Sequence, residues 1–125
     1  MTHDFQAACW VAEVEDEVIL AGLADHLAQP QLYVLLQRAE AFNEQDRALG
    51  MDTYHVEVSG QGGSGYGGLD VVEVGQDSVV FVFAGEGWCR ALGRVRVGLP
   101  GGVLVEDVVA GLQRVLVGKC EVRLL

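Results

Sequence analysis

A chain of 125 residues, half of them apolar and 21% charged, has the size of one domain and enough apolar material to bury a core without a disulfide or a metal. No apolar run approaches the ~18–20 residues of a membrane span, and seventeen glycines beside only two prolines read as turns and not as disorder or collagen. Eighteen acidic residues against eight basic ones give a net charge of −10, unevenly spread: residues 1–86 carry −13 and residues 87–125 carry +3, which disfavours direct binding of nucleic acid or anionic membranes and favours a basic partner.

In chain order the pattern is β-rich. Phe5 to Val14 is a near-continuous apolar stretch that reads as one strand covered on both faces. Glu15-Asp16-Glu17 makes a charged turn, Val18 to Leu23 returns as the second arm of a hairpin, and Leu32 to Leu36, after Pro30, has strand length. Asn43 as a cap, Asp46 three residues on and Gly50 in a left-handed C′ position predict a short helix over Glu44 to Leu49, its acids in water. Tyr54 to Val58 alternates, with Tyr54, Val56 and Val58 inward and His55 and Glu57 outward.

Beyond the glycine-rich stretch 60–68, Leu69 to Val74, a Gly75-Gln76-Asp77 turn and Ser78 to Phe83 form a second hairpin candidate. Arg94 to Val97 alternates again and shows its two arginines to one side. Val105, Val108, Val109, Leu112, Val115 and Leu116 fall on one stripe and predict a helix over Val105 to Val117, with Glu106 and Asp107 in its first turn and Gly118 and Lys119 at its end. Glu121 to Leu124 reads as a last strand. The expected architecture is α+β: a mainly antiparallel β-sheet with one packed C-terminal helix and a short helical turn in the middle, a single domain over residues 1–125.

Sites of chemistry are sparse. Gly60, Gly62 and Gly65 match the dinucleotide pattern G-x-G-x-x-G, yet Leu69 to Val74 reads as strand where that pattern needs a helix, and no βαβ unit surrounds it. Tyr66 stands where a phosphate loop needs lysine and where a nucleophile elbow around Ser64 needs glycine. The stretch reads instead as a loop of positive φ angles and close backbone approach, or as a partner-facing loop anchored by Tyr66. His3, His26 and His55 are scattered, and Glu15-Asp16-Glu17 lacks the glycine-interrupted loop that wraps calcium, so no metal, cofactor or catalytic residue is expected. Cys9, Cys89 and Cys120 are distant and odd in number, fitting small buried hydrophobes in a reducing cytosol; Arg90 beside Cys89 is the one hint of an activated thiolate. The start Met1-Thr2-His3-Asp4 lacks the features of a signal peptide, which points to a cytoplasmic protein.

Leu35-Leu36-Gln37-Arg38-Ala39, then Glu44-Gln45-Asp46-Arg47-Ala48-Leu49-Gly50-Met51-Asp52-Thr53-Tyr54, then Val56-Glu57, Gly60-Gln61 and Gly65-Tyr66-Gly67-Gly68 together resemble the immunity protein 10 family of bacterial polymorphic toxin systems. That resemblance, sharpest over Leu35 to Leu69, implies a non-enzymatic antidote that binds a cognate toxin domain, and the acidity suits a basic toxin such as a nuclease. The residues expected to meet it are Glu44, Asp46 and Asp52, with Tyr66 as anchor and Glu57 on the outward strand face. Two other readings are a small-molecule-binding domain using Gly60 to Gly68 and a self-assembling, chaperone-like module; the chain itself is a monomer or a homodimer.

Overall fold

The computed structural model describes residues 2–59 and 63–125. Its strands are β1 (Thr2–Gln6), β2 (Cys9–Glu15), β3 (Val18–Ala24), β4 (Tyr33–Ala39), β5 (His55–Val58), β6 (Gly63–Tyr66), β7 (Leu69–Val74), β8 (Ser78–Phe83), β9 (Arg94–Gly98) and β10 (Glu121–Leu124). The helices are α1 (Glu44–Ala48) and α2 (Val105–Leu116), with a 3-10 turn at Gly87–Cys89. Two five-stranded sheets result, and the fold is α+β. Sheet I has the order β1-β9-β8-β7-β10 and sheet II the order β2-β3-β4-β5-β6. Sheet II is antiparallel throughout, whereas both edges of sheet I, β1 on β9 and β10 on β7, are parallel.

Alternation builds one shared core. Val72, Val74, Val79, Phe81, Val95 and Val97 of sheet I meet Ala21, Leu23, Val34, Leu36 and Val56 of sheet II and Val108, Leu112, Val115 and Leu116 of α2. The valines of α2 are poor helix formers, so burial of this stripe is what holds the helix. Its C-terminal carbonyls are met from sheet II: the Arg38 guanidinium donates to the carbonyls of Arg114 (2.9 Å) and Val115 (3.1 Å). Tyr54, buried at the entry to β5, accepts the Leu69 N–H at 3.0 Å, and burial pushes its phenol up to about 12.

Two sequence expectations are corrected. Phe5 to Val14 is not one doubly covered strand but two strands in different sheets: the Ala7 N–H bonds the Gly98 carbonyl in sheet I and the Ala8 N–H bonds the Ala24 carbonyl in sheet II. The stretch is apolar because the chain crosses the core there, and β2 beyond it is an edge strand exposed from Ala12 to Glu15. Likewise the expected single sheet is two, since α2 and sheet I together cover the inner face of sheet II. The hairpins, the inward and outward residues of β5, the arginines of β9 and the last strand lie where the sequence places them, and α2 ends one residue earlier than expected.

Local chemistry explains the turns. Asn43 accepts the Asp46 N–H (2.8 Å) and Asp46 accepts the Asn43 N–H (3.0 Å), a reciprocal cap on α1. Its other end closes with Gly50 at φ +71 and the Met51 N–H on the Asp46 carbonyl. The β2–β3 loop is tighter: Asp16 and Glu17 both adopt positive φ, 52° and 65°, between the paired Glu15 and Val18. A left-handed glutamate costs about 1–2 kcal/mol, part of which glycine would return as unfolded-state entropy. Glu17→Gly is therefore expected to raise stability by about 0.5–1 kcal/mol, read as a higher denaturant midpoint at unchanged slope.

Candidate partner-binding surface

The two sheets differ in what they show on their outer faces. Sheet I carries charges of both signs: Glu73 pairs with Arg94 (3.1 Å) and Arg123 (3.6 Å), and Arg123 also bonds Glu121. Such exposed pairs contribute little stability and keep that face wet. The outer residues of sheet II are instead mostly apolar. Cys9, Val11, Glu13 and Glu15 of β2, Val18, Leu20, Gly22 and Ala24 of β3, and Tyr33 and Leu35 of β4 share this side, followed by Gln37, His55, Glu57 and Tyr66. An antiparallel sheet with one free face normally alternates apolar with polar; β3 does not.

Two hollows adjoin on this face. The larger, about 540 Å³, lies over β2, β3 and β4 and is walled by Val11, Leu20, Tyr33, Leu35 and Glu57. Its floor exists because Gly22 stands between Val11 and Leu35 with no side chain of its own. Glu57 is the one carboxylate of its lining, and the Tyr33 hydroxyl donates to that carboxylate. This hydrogen bond, with burial behind it, raises the Tyr33 phenol above its ordinary value. The rim at one end is the β3–β4 loop, where Asp25 accepts the N–H groups of Gln31 (3.0 Å) and Leu32 (3.1 Å) and His26 Nδ1 accepts those of Ala28 and Gln29. The two N–H bonds hold the Asp25 carboxyl below its usual range. The loop so fixed presents Leu27 at 78% exposure.

The smaller hollow, about 330 Å³, lies beside α1 and is lined by Phe42, Asp46, Met51, Thr53, His55 and Tyr66 among others. Tyr66 packs on His55 edge to face, with centroids 4.9 Å apart, and His55 Nδ1 is buried without a hydrogen-bond partner among the described residues.

Of the residues expected from sequence to meet a partner, the structure brings Asp46 and Tyr66 together at the smaller hollow and puts Glu57 at the larger. Glu44 is exposed at the start of α1 and Asp52 is half-buried in the α1–β5 connection; neither lines either of these two hollows. Sequence reasoning missed Leu20, Gly22, Tyr33, Leu35 and His55. A signal for the outer face of β3, with Leu20 and Gly22 on it, was present: Val18-Ile19-Leu20-Ala21-Gly22-Leu23-Ala24 is apolar on both parities, and only one face of it serves the core.

Gly60 and Gly62 lie outside the described residues, Gly63 to Tyr66 is strand β6 paired with β5, and Gly67 and Gly68 turn with positive φ into β7. Cys89 is buried, as the small hydrophobe expected of it: burial raises its thiol in spite of Arg90 next to it, and it donates to the Gly68 carbonyl. Burial likewise pushes Cys120 up to about 11. All three cysteines are free, and no group of three metal-ligating side chains occurs among the described residues.

The family model for immunity protein 10 matches residues 4–93 of the chain. The protein belongs to the immunity protein 10 family. The match extends well beyond the Leu35 to Leu69 blocks and takes in all of sheet II, so the whole apolar face with both hollows falls inside the family region of this immunity protein. Strand β9, helix α2 and strand β10 lie beyond it. No curated protein matches the sequence. No helix among the described residues is long and apolar enough to cross a membrane.

Proposed function

We propose that this immunity protein is a cytoplasmic, non-enzymatic antitoxin that binds a cognate bacterial toxin domain and neutralises it by stoichiometric occlusion. The family match carries the reading. The distribution of charge supports a basic toxin: residues 9–66, which make sheet II, its loops and α1, hold ten acids against two arginines, a net of −8 out of the −10 of the whole chain. One of those arginines, Arg38, is spent on the end of α2. A field of this sign concentrated on one layer speeds the encounter with a cationic protein.

Co-purification of the tagged protein from its native cell, at low and then high salt, tests the reading. A toxin-like partner whose activity falls in linear 1:1 proportion to added protein is the expected result; saturable small-molecule binding with no such partner would overturn it. Glu44, Asp46 and Asp52 act at a distance in this scheme, steering the toxin toward Glu57 and Tyr66. Asp46 also caps α1, so its charge is best removed as Asp46→Asn, which keeps an acceptor on the Asn43 N–H. Combined with Glu44→Lys and Asp52→Lys, it is expected to slow association about tenfold at low salt and little at high salt, with dissociation unchanged. Stopped-flow association at two ionic strengths reads this out.

A further inference from the structure

We infer that the groove over β2, β3 and β4 receives an arginine-bearing segment of the partner, the arginine stem lying on Leu20 and Leu35 and its guanidinium on Glu57. The inference rests on the reading of the protein as a toxin antidote and names the surface and the chemistry that reading leaves open. The groove is almost wholly apolar, apart from one carboxylate on its wall. That carboxylate is already fixed by the Tyr33 hydroxyl. A ligand for such a site needs a long apolar stem and a planar, weakly hydrated cationic head, which is the description of arginine; a lysine ammonium loses more hydration on entering.

A second copy of the chain is the poorer occupant face to face, because two layers of net −8 would oppose each other. The β3–β4 loop adds Pro30 to the lining, where an apolar residue flanking the arginine would sit.

Gly22 supplies the decisive variant. A Cβ there would stand 3.3 Å from the flexible Leu35 Cδ1, and the backbone is that of an ordinary strand. Gly22→Val therefore fills the groove floor with a strand-favouring side chain and is expected to keep or raise the melting temperature. The probes are acetyl-Leu-Arg-amide and acetyl-Leu-citrulline-amide, its uncharged isostere, titrated into the ¹⁵N-labelled full chain. Expected are shifts of the Leu20, Gly22, Leu35 and Glu57 amides with the arginine peptide, binding weakened about tenfold or more by citrulline, and no shift in Gly22→Val. Equal binding of the two peptides, or shifts confined to other surfaces, would overturn the assignment, as would a concentration-dependent dimer in sedimentation that Gly22→Val abolishes.

With the toxin found by co-purification, Gly22→Val and Glu57→Gln are each expected to weaken its binding about tenfold or more. Full neutralisation by Gly22→Val would sink the groove and leave the antidote reading intact. A wild-type protein that binds the arginine peptide at these amides yet neutralises no toxin would sink the antidote reading while supporting the arginine site.

Discussion

Gly65→Ala is expected to lower folding stability by about 2–3 kcal/mol, and Gly65→Val by more than about 4 kcal/mol. Strand β6 passes directly over the Trp88 indole: a Cβ on Gly65 would overlap Cδ1, Cγ and Nε1 of that ring. The ring cannot step aside cheaply. Its Nε1–H donates to the Gly67 carbonyl at 3.3 Å, its edge meets Phe83 of sheet I with centroids 5.8 Å apart, and Gly68, at φ +100, closes on it from the next turn. Trp88 thus joins sheet II to sheet I at the β6 end, and the glycines exist to admit it. The test is a double-mutant cycle in urea. Trp88→Ala removes the obstacle, so Gly65→Ala is expected to cost at least about 1 kcal/mol less in that background; strictly additive losses would show that the glycine is required for some other reason.

That arrangement also shows where the sequence is opaque. Close backbone approach at 60–68 is a legitimate reading of the glycines, but nothing local says that the approaching group is a tryptophan twenty-three positions later, or that Gly63 to Tyr66 pairs as a strand. Elements set by local chemistry were legible almost to the residue: α1 from Asn43, Asp46 and Gly50, the β7–β8 hairpin from its turn, and α2 from its stripe. Elements set by partners were not. The crossing at Ala7 and Ala8 is invisible in an unbroken apolar run, because both sides of the crossing are core.

The candidate surface divides the same way. Outward His55 and Glu57 follow from the period of two, and Tyr66 as their neighbour follows from pairing β6 on β5. Acidic residues are conspicuous in a sequence, whereas a groove is an absence of side chains and has to be seen in register. Gly22 means nothing until Val11 and Leu35 are known to flank it. Tyr33 likewise becomes a site residue only when β4 lies beside β5 and its hydroxyl meets Glu57. The charge pattern of the sequence draws attention to the acids around α1, and the apolar strand face next to them becomes visible only in the fold.

Gly111, in the middle of α2, yields the second large effect, and its sign has to be decided between two terms. An exposed helix interior gains about 1 kcal/mol when glycine becomes alanine. Gly111 is buried where the helix crosses β2, and a Cβ there would stand 2.7 Å from Trp10 Cζ2 and 2.9 Å from Ala12 Cβ. Ala12 Cβ is fixed to its strand and cannot rotate away, so helix and sheet must separate, at a cost of about 1–3 kcal/mol for one methyl group. Overpacking is expected to win: Gly111→Ala loses about 1 kcal/mol and Gly111→Leu more than about 3 kcal/mol. The neighbouring control makes the argument sharp. Ala110 is exposed on the same helix, and Ala110→Gly is expected to lose about 1 kcal/mol from propensity alone. Opposite substitutions at adjacent positions should therefore both lower the urea midpoint. If Gly111→Ala raises it instead, the helix has room to move off β2, and the contact with Trp10 and Ala12 does not set how closely α2 lies on sheet II.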